Sequence, residues 1–260
     1  MHKNNSNPRI SAALIIIGDE ILSGQINDQN IATIASFCTK RGIDLKEVRV
    51  VADEESEIIA ALNDLRPKYT YIFSTGGIGP THDDVTADAV AKAFGVELEI
   101  NPKAREMLQE YSNSKNISSA RLRMARIPKG AKLIKNGVTG APGFQIENVY
   151  VMAGVPVIMK SMLEDIAVTL RGGEKIISKK ILCALGESMV ASSLKNIQNE
   201  FENVKIGSYP QMGKFSAIIL RSIDKIALEQ AAKLVQIMID KLHEENNIIL
   251  PLGEENESIE

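Results

Sequence analysis

The feature that most limits what this chain can fold into is the run Ile10-Ser11-Ala12-Ala13-Leu14-Ile15-Ile16-Ile17, which ends abruptly in Gly18-Asp19-Glu20. The run has strand length and no polar alternation. A strand without a polar face must be covered on both sides, the condition of a parallel sheet between two helix layers. The following segments agree. A helix is expected from about Asp28 to Lys40, with Ile31, Ile34, Ala35 and Cys38 on one face and Gly42 closing it. Asp44 to Val51 reads as a second strand, ending in Ala52-Asp53-Glu54-Glu55. Ile58, Ile59, Leu62 and Leu65 mark a second helix, stopped by Pro67, and Tyr69 to Ser74 a third strand. Such alternation implies right-handed crossovers and an α/β fold with a doubly wound, mostly parallel sheet.

In a sheet of this kind the turns after the strands leave by one edge, and ligands bind there. The third turn, Ser74-Thr75-Gly76-Gly77-Ile78-Gly79-Pro80-Thr81-His82-Asp83-Asp84-Val85-Thr86, places three glycines in four positions before a helix expected from Val85 to Phe94 and stopped by Gly95. Glycines let backbone amides approach a phosphate, and the helix start adds unpaired donors. Asp83 and Asp84 do not fit a simple anion cradle, because carboxylates repel a phosphate unless a divalent cation or a proton intervenes. A plainer reading makes Asp84 the helix cap, Asp83 a solvated neighbour and the glycines an ordinary turn. Against it stands convergence: Asp19 and Glu20, Asp53, and Asp83 and Asp84 each follow an expected strand, so five acids meet on one rim.

Asn101-Pro102 starts a further helix, through Tyr111. Arg121, Arg123 and Arg126 alternate with Leu122, Met124 and Ile127; they read as a phosphate clamp, an oligomer contact or, the preferred reading, a solvated helix face. Asn136 to Phe144 is a long loop rich in turn formers, of the kind that carries recognition. Val149 to Met152 is a short strand, turned by Ala153-Gly154-Val155-Pro156 into a helix through about Leu170. Arg171-Gly172-Gly173-Glu174 reads as a boundary, giving a site-bearing domain over 1–172 and a smaller α+β domain over 173–253. In the latter, strands are expected at Lys175–Leu185, Val204–Tyr209, Phe215–Arg221 and, at an edge, Ile248–Leu250, with helices at Glu187–Phe201 and Asp224–Glu244. Gly207 to Gly213 is its distinctive loop, and 254–260 an acidic tail expected to be disordered.

A net charge of −3, with the signs interspersed, gives no case for a nucleic-acid or membrane partner. No apolar stretch reaches transmembrane length and no secretory leader is legible. The two cysteines, Cys38 and Cys183, lie far apart in apolar segments, which implies buried thiols and a reducing cytoplasm.

Gly18-Asp19-Glu20-Ile21-Leu22-Ser23-Gly24 with Asp28 and Asn30, Thr75 through Thr86, Gly140-Ala141-Pro142-Gly143-Phe144 and Gly154-Val155-Pro156 together resemble the molybdopterin-binding fold family, in its competence/damage-inducible protein A (CinA) branch. Gly186-Glu187-Ser188 and Gly207-Ser208-Tyr209-Pro210 extend the resemblance to the small domain. It implies a three-layer fold, a molybdopterin or nucleotide ligand, a homo-oligomer, and divalent-metal-dependent hydrolysis of ADP-ribose- or FAD-like dinucleotides. The further amidase domain of longer CinA proteins has no counterpart in the residues at hand, so its activity is not expected.

Residues and resemblance together give an expected site. Asp84 and Asp53, with Asp83, are the candidate catalytic acids; Asp19, Glu20, Asp53 and Asp84 the candidate ligands of Mg2+, Mn2+ or Co2+. Gly76, Gly77 and Gly79 would cradle phosphate, Thr75, Thr81 and Thr86 would donate hydroxyls, and Gly18, Gly143, Gly154 and Pro156 would contact the small-molecule substrate. His82 reads as a spectator. The alternatives are a non-catalytic pterin-phosphate carrier, whose acids accept from the pterin amino and ring N–H groups, and a structural oligomerisation domain.

Overall fold

The computed structural model describes residues 9–112, 116–210, 216–246 and 258–259. The chain divides into two compact units, Met1–Gly173 and Glu174–Glu260.

The first unit opens with β1 (Ser11–Ile17), a single turn of helix α1 (Asp19–Leu22), α2 (Asn30–Lys40), β2 (Asp44–Val51), α3 (Glu55–Leu65) and β3 (Tyr71–Thr75). It continues with α4 (Thr86–Phe94), β4 (Leu98–Ile100), α5 (Pro102–Ser112), α6 (Ser119–Arg123) and β5 (Arg126–Pro128). The last elements are β6 (Lys132–Ile134), β7 (Gly143–Ile146), β8 (Val149–Met152) and α7 (Pro156–Ile166). Six strands form one sheet in the order β2-β1-β3-β8-β7-β6. β2, β1, β3 and β8 run parallel, while β7 and β6 add an antiparallel edge. β4 and β5 form a separate antiparallel pair.

The uninterrupted apolar run of β1 has its predicted cause. Ala13, Ile15 and Ile17 pack into a core shared with α3, α4 and α5, and Ala12, Leu14 and Ile16 into a second core shared with α2 and α7. The sheet is therefore covered on both faces. Several helices start where the sequence implies: Asn101 accepts from the amides of Lys103 and Ala104 at 3.0 Å, opening α5.

Two local expectations are corrected, and one feature of the sheet is new. The segment around Arg121–Ile127 is not one solvated helix; α6 ends at Arg123 and Arg126–Pro128 is a strand whose Ile127 is buried. α7 ends at Ile166, short of Leu170. The antiparallel edge was not anticipated, because β6 and β7 are three and four residues long and carry no readable period.

The second unit contains β9 (Ile177–Cys183), α8 (Glu187–Glu200), β10 (Lys205–Pro210), β11 (Ser216–Ser222), α9 (Lys225–Glu245) and β12 (Ser258–Ile259), with an antiparallel sheet ordered β10-β11-β9-β12. Asp224 caps α9 by accepting from the amides of Ile226 and Ala227 at 2.9 and 3.0 Å. The strand expected at Val204–Tyr209 is β10, which runs on through Pro210 and takes in the first part of the Gly207–Gly213 loop; 211–213, the proposed edge strand 248–250 and residues 254–257 and 260 of the tail lie outside the described residues. No helix among the described residues is long and apolar enough to cross a membrane.

Candidate functional site

The strand order places the chemistry. β2 lies on one side of β1 and β3 on the other, so the winding direction reverses at β1, where the carboxyl ends of an open sheet leave a crevice. A cleft of about 850 Å3 opens there, lined by the turns after β1, β3 and β8, by Asp53 after β2, and by α6 and the 136–141 loop.

The glycine turn is built for close approach. Gly76 has φ +106°, and a Cβ there would lie 2.0 Å from the Ile17 carbonyl oxygen; Gly77 has φ +65°, and a Cβ would lie 2.2 Å from Thr86 Oγ1. Only glycine fits these two positions. The Gly76 amide donates to the Met152 carbonyl at 3.1 Å, so the turn after β3 is tied to β8 while it touches β1. Thr86 locks it from beneath: its amide donates to the Gly77 carbonyl and its hydroxyl to the Gly76 carbonyl, both at 3.0 Å.

Asp84 is used inside this loop. Its Oδ1 accepts from the Gly79 amide at 2.6 Å, and its Oδ2 accepts from the Thr81 amide at 2.7 Å and the Thr81 hydroxyl at 2.5 Å. It is not the cap of α4, a position taken by Val85. The Gly79 and Thr81 amides are thereby consumed. Among the described residues the amides of Gly77 and Ile78 make no hydrogen bond, which narrows the phosphate-facing donors to these two.

The remaining acids gather about Asp53. Its Oδ2 accepts from the Asp19 amide at 2.9 Å, and Asp19 Oδ1 accepts from the Asp53 amide at 3.3 Å, a reciprocal clasp joining the ends of β1 and β2. Asp53 Oδ1 faces the glycine turn, 3.5 Å from where a Gly77 Cβ would stand. Burial pushes the Asp53 carboxyl above the usual range; the Asp19 amide bond pulls it down, and the charges of Glu20, Asp19 and Asp83 push it up again. Asp83 is thus the acid of the glycine motif that feels Asp53. Among the described residues no three His, Cys, Asp or Glu side chains form a ready-made metal cage. The donor set is nevertheless one of hard oxygens without a neutralising cation, which suits an ion such as Mg2+ that takes one or two carboxylates and completes its shell with water and phosphate.

A separate part of the wall is basic. Arg121, half-buried, donates to the Thr139 carbonyl at 3.4 Å and lies over the Tyr111 ring at 5.8 Å from its centroid. The loop beside it is fixed by Asn136, whose side chain accepts from the Val138 and Thr139 amides at 2.8 and 3.3 Å and donates to Thr139 Oγ1 and the Ala141 carbonyl at 2.6 and 3.0 Å.

The expected residues divide accordingly. Gly18, Glu20, Asp53, Gly76, Gly77, Gly79, Asp83, Asp84, Gly154 and Pro156 line the cleft; Asp19 does not, but is exposed and clasped to Asp53, which does. Thr86 is fully buried, Thr75 is buried at the carboxyl end of β3 just before Gly76, and Gly143 sits against the Val151 carbonyl; none of the three lines the cleft wall. Thr81 is spent on Asp84, and His82 is 99% exposed with its ring 3.9 Å from Asp83. Sequence reasoning set Arg121 on a solvated face and gave Asn30 no role. Asn30 lines the cleft at 3% exposure and donates to the Gly154 carbonyl at 2.7 Å, holding the β1–α2 and β8–α7 turns together. Its place in the first glycine-acid motif was the available signal.

Comparison with known proteins agrees with this geometry. The family described as a probable molybdopterin binding domain matches residues 13–172, and the FAD synthase middle domain matches residues 175–246. A protein of Pyrococcus furiosus is 36% identical over 241 residues, covering 86% of this chain and 95% of that one. One of Archaeoglobus fulgidus is 32% identical over 228 residues, covering 87% and 97%. Among solved structures, the protein CinA with unknown function from Thermoplasma acidophilum is similar with a TM-score of 0.59 and 32% identity, covering 61% of this chain and 96% of that chain. The switch-point cleft, the glycine turn and these matches lead to one statement: the chain belongs to the family of probable molybdopterin binding domains, in its CinA-like form, with an FAD synthase-type middle domain following.

Proposed function

We propose that the cleft takes a nucleotide diphosphate of the ADP-ribose or FAD type and cleaves its pyrophosphate linkage with a divalent cation such as Mg2+, Mn2+ or Co2+. The observation that carries this reading is the Asp53 cluster: clasped acids from two strand ends, beside a glycine turn, with mutually reinforced negative charge. When bound, the cation would offset the diphosphate charge and acidify a water. The chain's own residues do the rest. Asp53 and Asp19 hold the cation side, with Glu20 in support; Asp83 at the mouth orients water. The amides of Gly77 and Ile78 receive phosphate oxygens. Asp84 serves by bracing the loop that presents them. The FAD synthase middle-domain match is consistent with a dinucleotide ligand.

A second reading, a non-catalytic molybdopterin carrier, uses the same turn for the pterin phosphate and the acids for amino and ring N–H donors. The match of residues 13–172 to a probable molybdopterin binding domain supports it. One assay separates the two. The protein is mixed with ADP-ribose, NAD or FAD, with and without each metal, and AMP release is followed by chromatography. Metal-dependent release, reduced at least a hundredfold by Asp53→Asn, is expected. Pterin-phosphate binding with no release under any metal would establish the carrier.

A further inference from the structure

The cleft's acids do not use its arginine. Five acidic residues line it, Glu20, Asp28, Asp53, Asp83 and Asp84, together with Arg121, yet among the described residues Arg121 makes no ion pair. The neighbouring Arg126 is paired with Asp88, and Arg49 with both Glu47 and Asp64. Arg121 has one bond, to the Thr139 carbonyl at 3.4 Å, which is long for a guanidinium, and its buried Nε has no partner among the described residues. The side chain lies over the Tyr111 ring, 5.8 Å from its centroid, and the Tyr111 hydroxyl donates to the Val138 carbonyl at 2.5 Å.

We propose that Arg121 is an anion-binding residue of the cleft, taking phosphate oxygens of the bound nucleotide without help from a cation. A guanidinium presents a planar fork of donors that matches phosphate geometry, and a single long bond to the Thr139 carbonyl leaves most of that fork free. The cleft is then two-poled: acids at the strand ends for a cation, and Arg121 for negative charge that the cation does not cover. This rests on the nucleotide-diphosphate reading but not on catalysis.

The test is calorimetric titration of the full chain with ADP in EDTA, where metal-dependent turnover plays no part. Wild type binds, and Arg121→Gln weakens binding roughly tenfold to a hundredfold, the range for a charge-assisted hydrogen bond. Arg121→Lys, which keeps the charge and loses the fork, falls between the two. Binding to the wild type weakens with added salt more steeply than binding to the Gln variant, a difference that a merely structural arginine would not produce. Lys129→Gln, which removes a surface cation paired with Glu97, leaves the affinity unchanged. Equal affinity in wild type and Arg121→Gln overturns the proposal, and so does a wild type that fails to bind ADP without metal. Should the Gln variant not fold, a Lys variant that binds as tightly as wild type overturns it equally. Failure of hydrolysis with intact Arg121-dependent binding would instead refute only the catalytic reading.

Discussion

Two parts of the same cleft are built by opposite means. The strand-end side is made of backbone forced together: Gly76 against Ile17, Gly77 against Thr86, Asp19 and Asp53 exchanging amide bonds. The side carrying Arg121 is made of side chains laid over one another, with Tyr111, Asn136 and Thr139 tethering a loop to α5 and α6. The first kind of wall tolerates no change in shape and holds unfavourable charge; the second can lose a group and keep its course. Rigid backbone is what keeps these like charges close together, as the proposed cation site requires.

The largest effect expected from that contrast is at Gly76. Gly76→Ala sets a methyl on the Ile17 carbonyl oxygen in a left-handed conformation. It should cost about 3 kcal/mol in urea unfolding, at the upper end for single substitutions. A loss under about 1 kcal/mol would mean that the ends of β1 and β3 are not so tightly apposed.

Next is Asp84→Ala, which strips partners from two loop amides and a hydroxyl. A cost of about 1–2 kcal/mol is expected, together with faster hydrogen exchange at Gly79 and Thr81. No change in that exchange would return Asp84 to the role of metal ligand rather than loop brace.

Asp53→Asn sharpens the comparison from the other direction. The amide can still accept from Asp19, and it removes the charge that burial and Glu20, Asp19 and Asp83 disfavour. In metal-free buffer near neutral pH its unfolding free energy should equal that of wild type or exceed it by about 1 kcal/mol, on the general scale of such electrostatic relief. The sign is set by linkage. A carboxyl whose folded pKa is raised binds its proton more tightly when folded, so ionising it costs stability as pH rises above the unfolded value. A variant clearly less stable than wild type would mark Asp53 as structural.

The smallest effect belongs to Cys38, wholly in the core, where burial pushes the thiol up to about 12 against a weak pull from Arg41. It should show no reaction with an aromatic disulfide reagent at pH 8 until the protein is unfolded, and prompt labelling of the native protein would contradict this core position.

The same contrast explains what could be read from the sequence. The strand-end side is local: each acid or glycine follows its strand within a few residues, so the apolar runs at 10–17 and 69–74 and the mixed strand segment at 44–51 announce both the fold and the rim. What the acids do once there was less legible. Asp84 resembles its neighbour Asp83 in sequence, but bonds three to five residues back turn it inward. Thr86 looks like a phosphate donor and is buried because its hydroxyl is needed by Gly76. The Arg121 side is non-local. Its meaning depends on Tyr111 and Thr139, ten and eighteen positions away, and a charge run without that context defaults to solvent. The antiparallel edge was hidden for a related reason, since strands of three or four residues are defined by their partners rather than by their own pattern.

The claim on which the functional account turns is that acids from separate strand ends share a cation whose remaining sites are filled by a nucleotide diphosphate. Electron paramagnetic resonance of Mn2+, titrated into the protein with and without ADP, measures this directly. The account predicts that ADP tightens Mn2+ binding to wild type by at least about tenfold, and that Asp53→Asn abolishes the gain while still binding ADP in EDTA. Mn2+ and ADP binding that is the same in wild type and Asp53→Asn would contradict it.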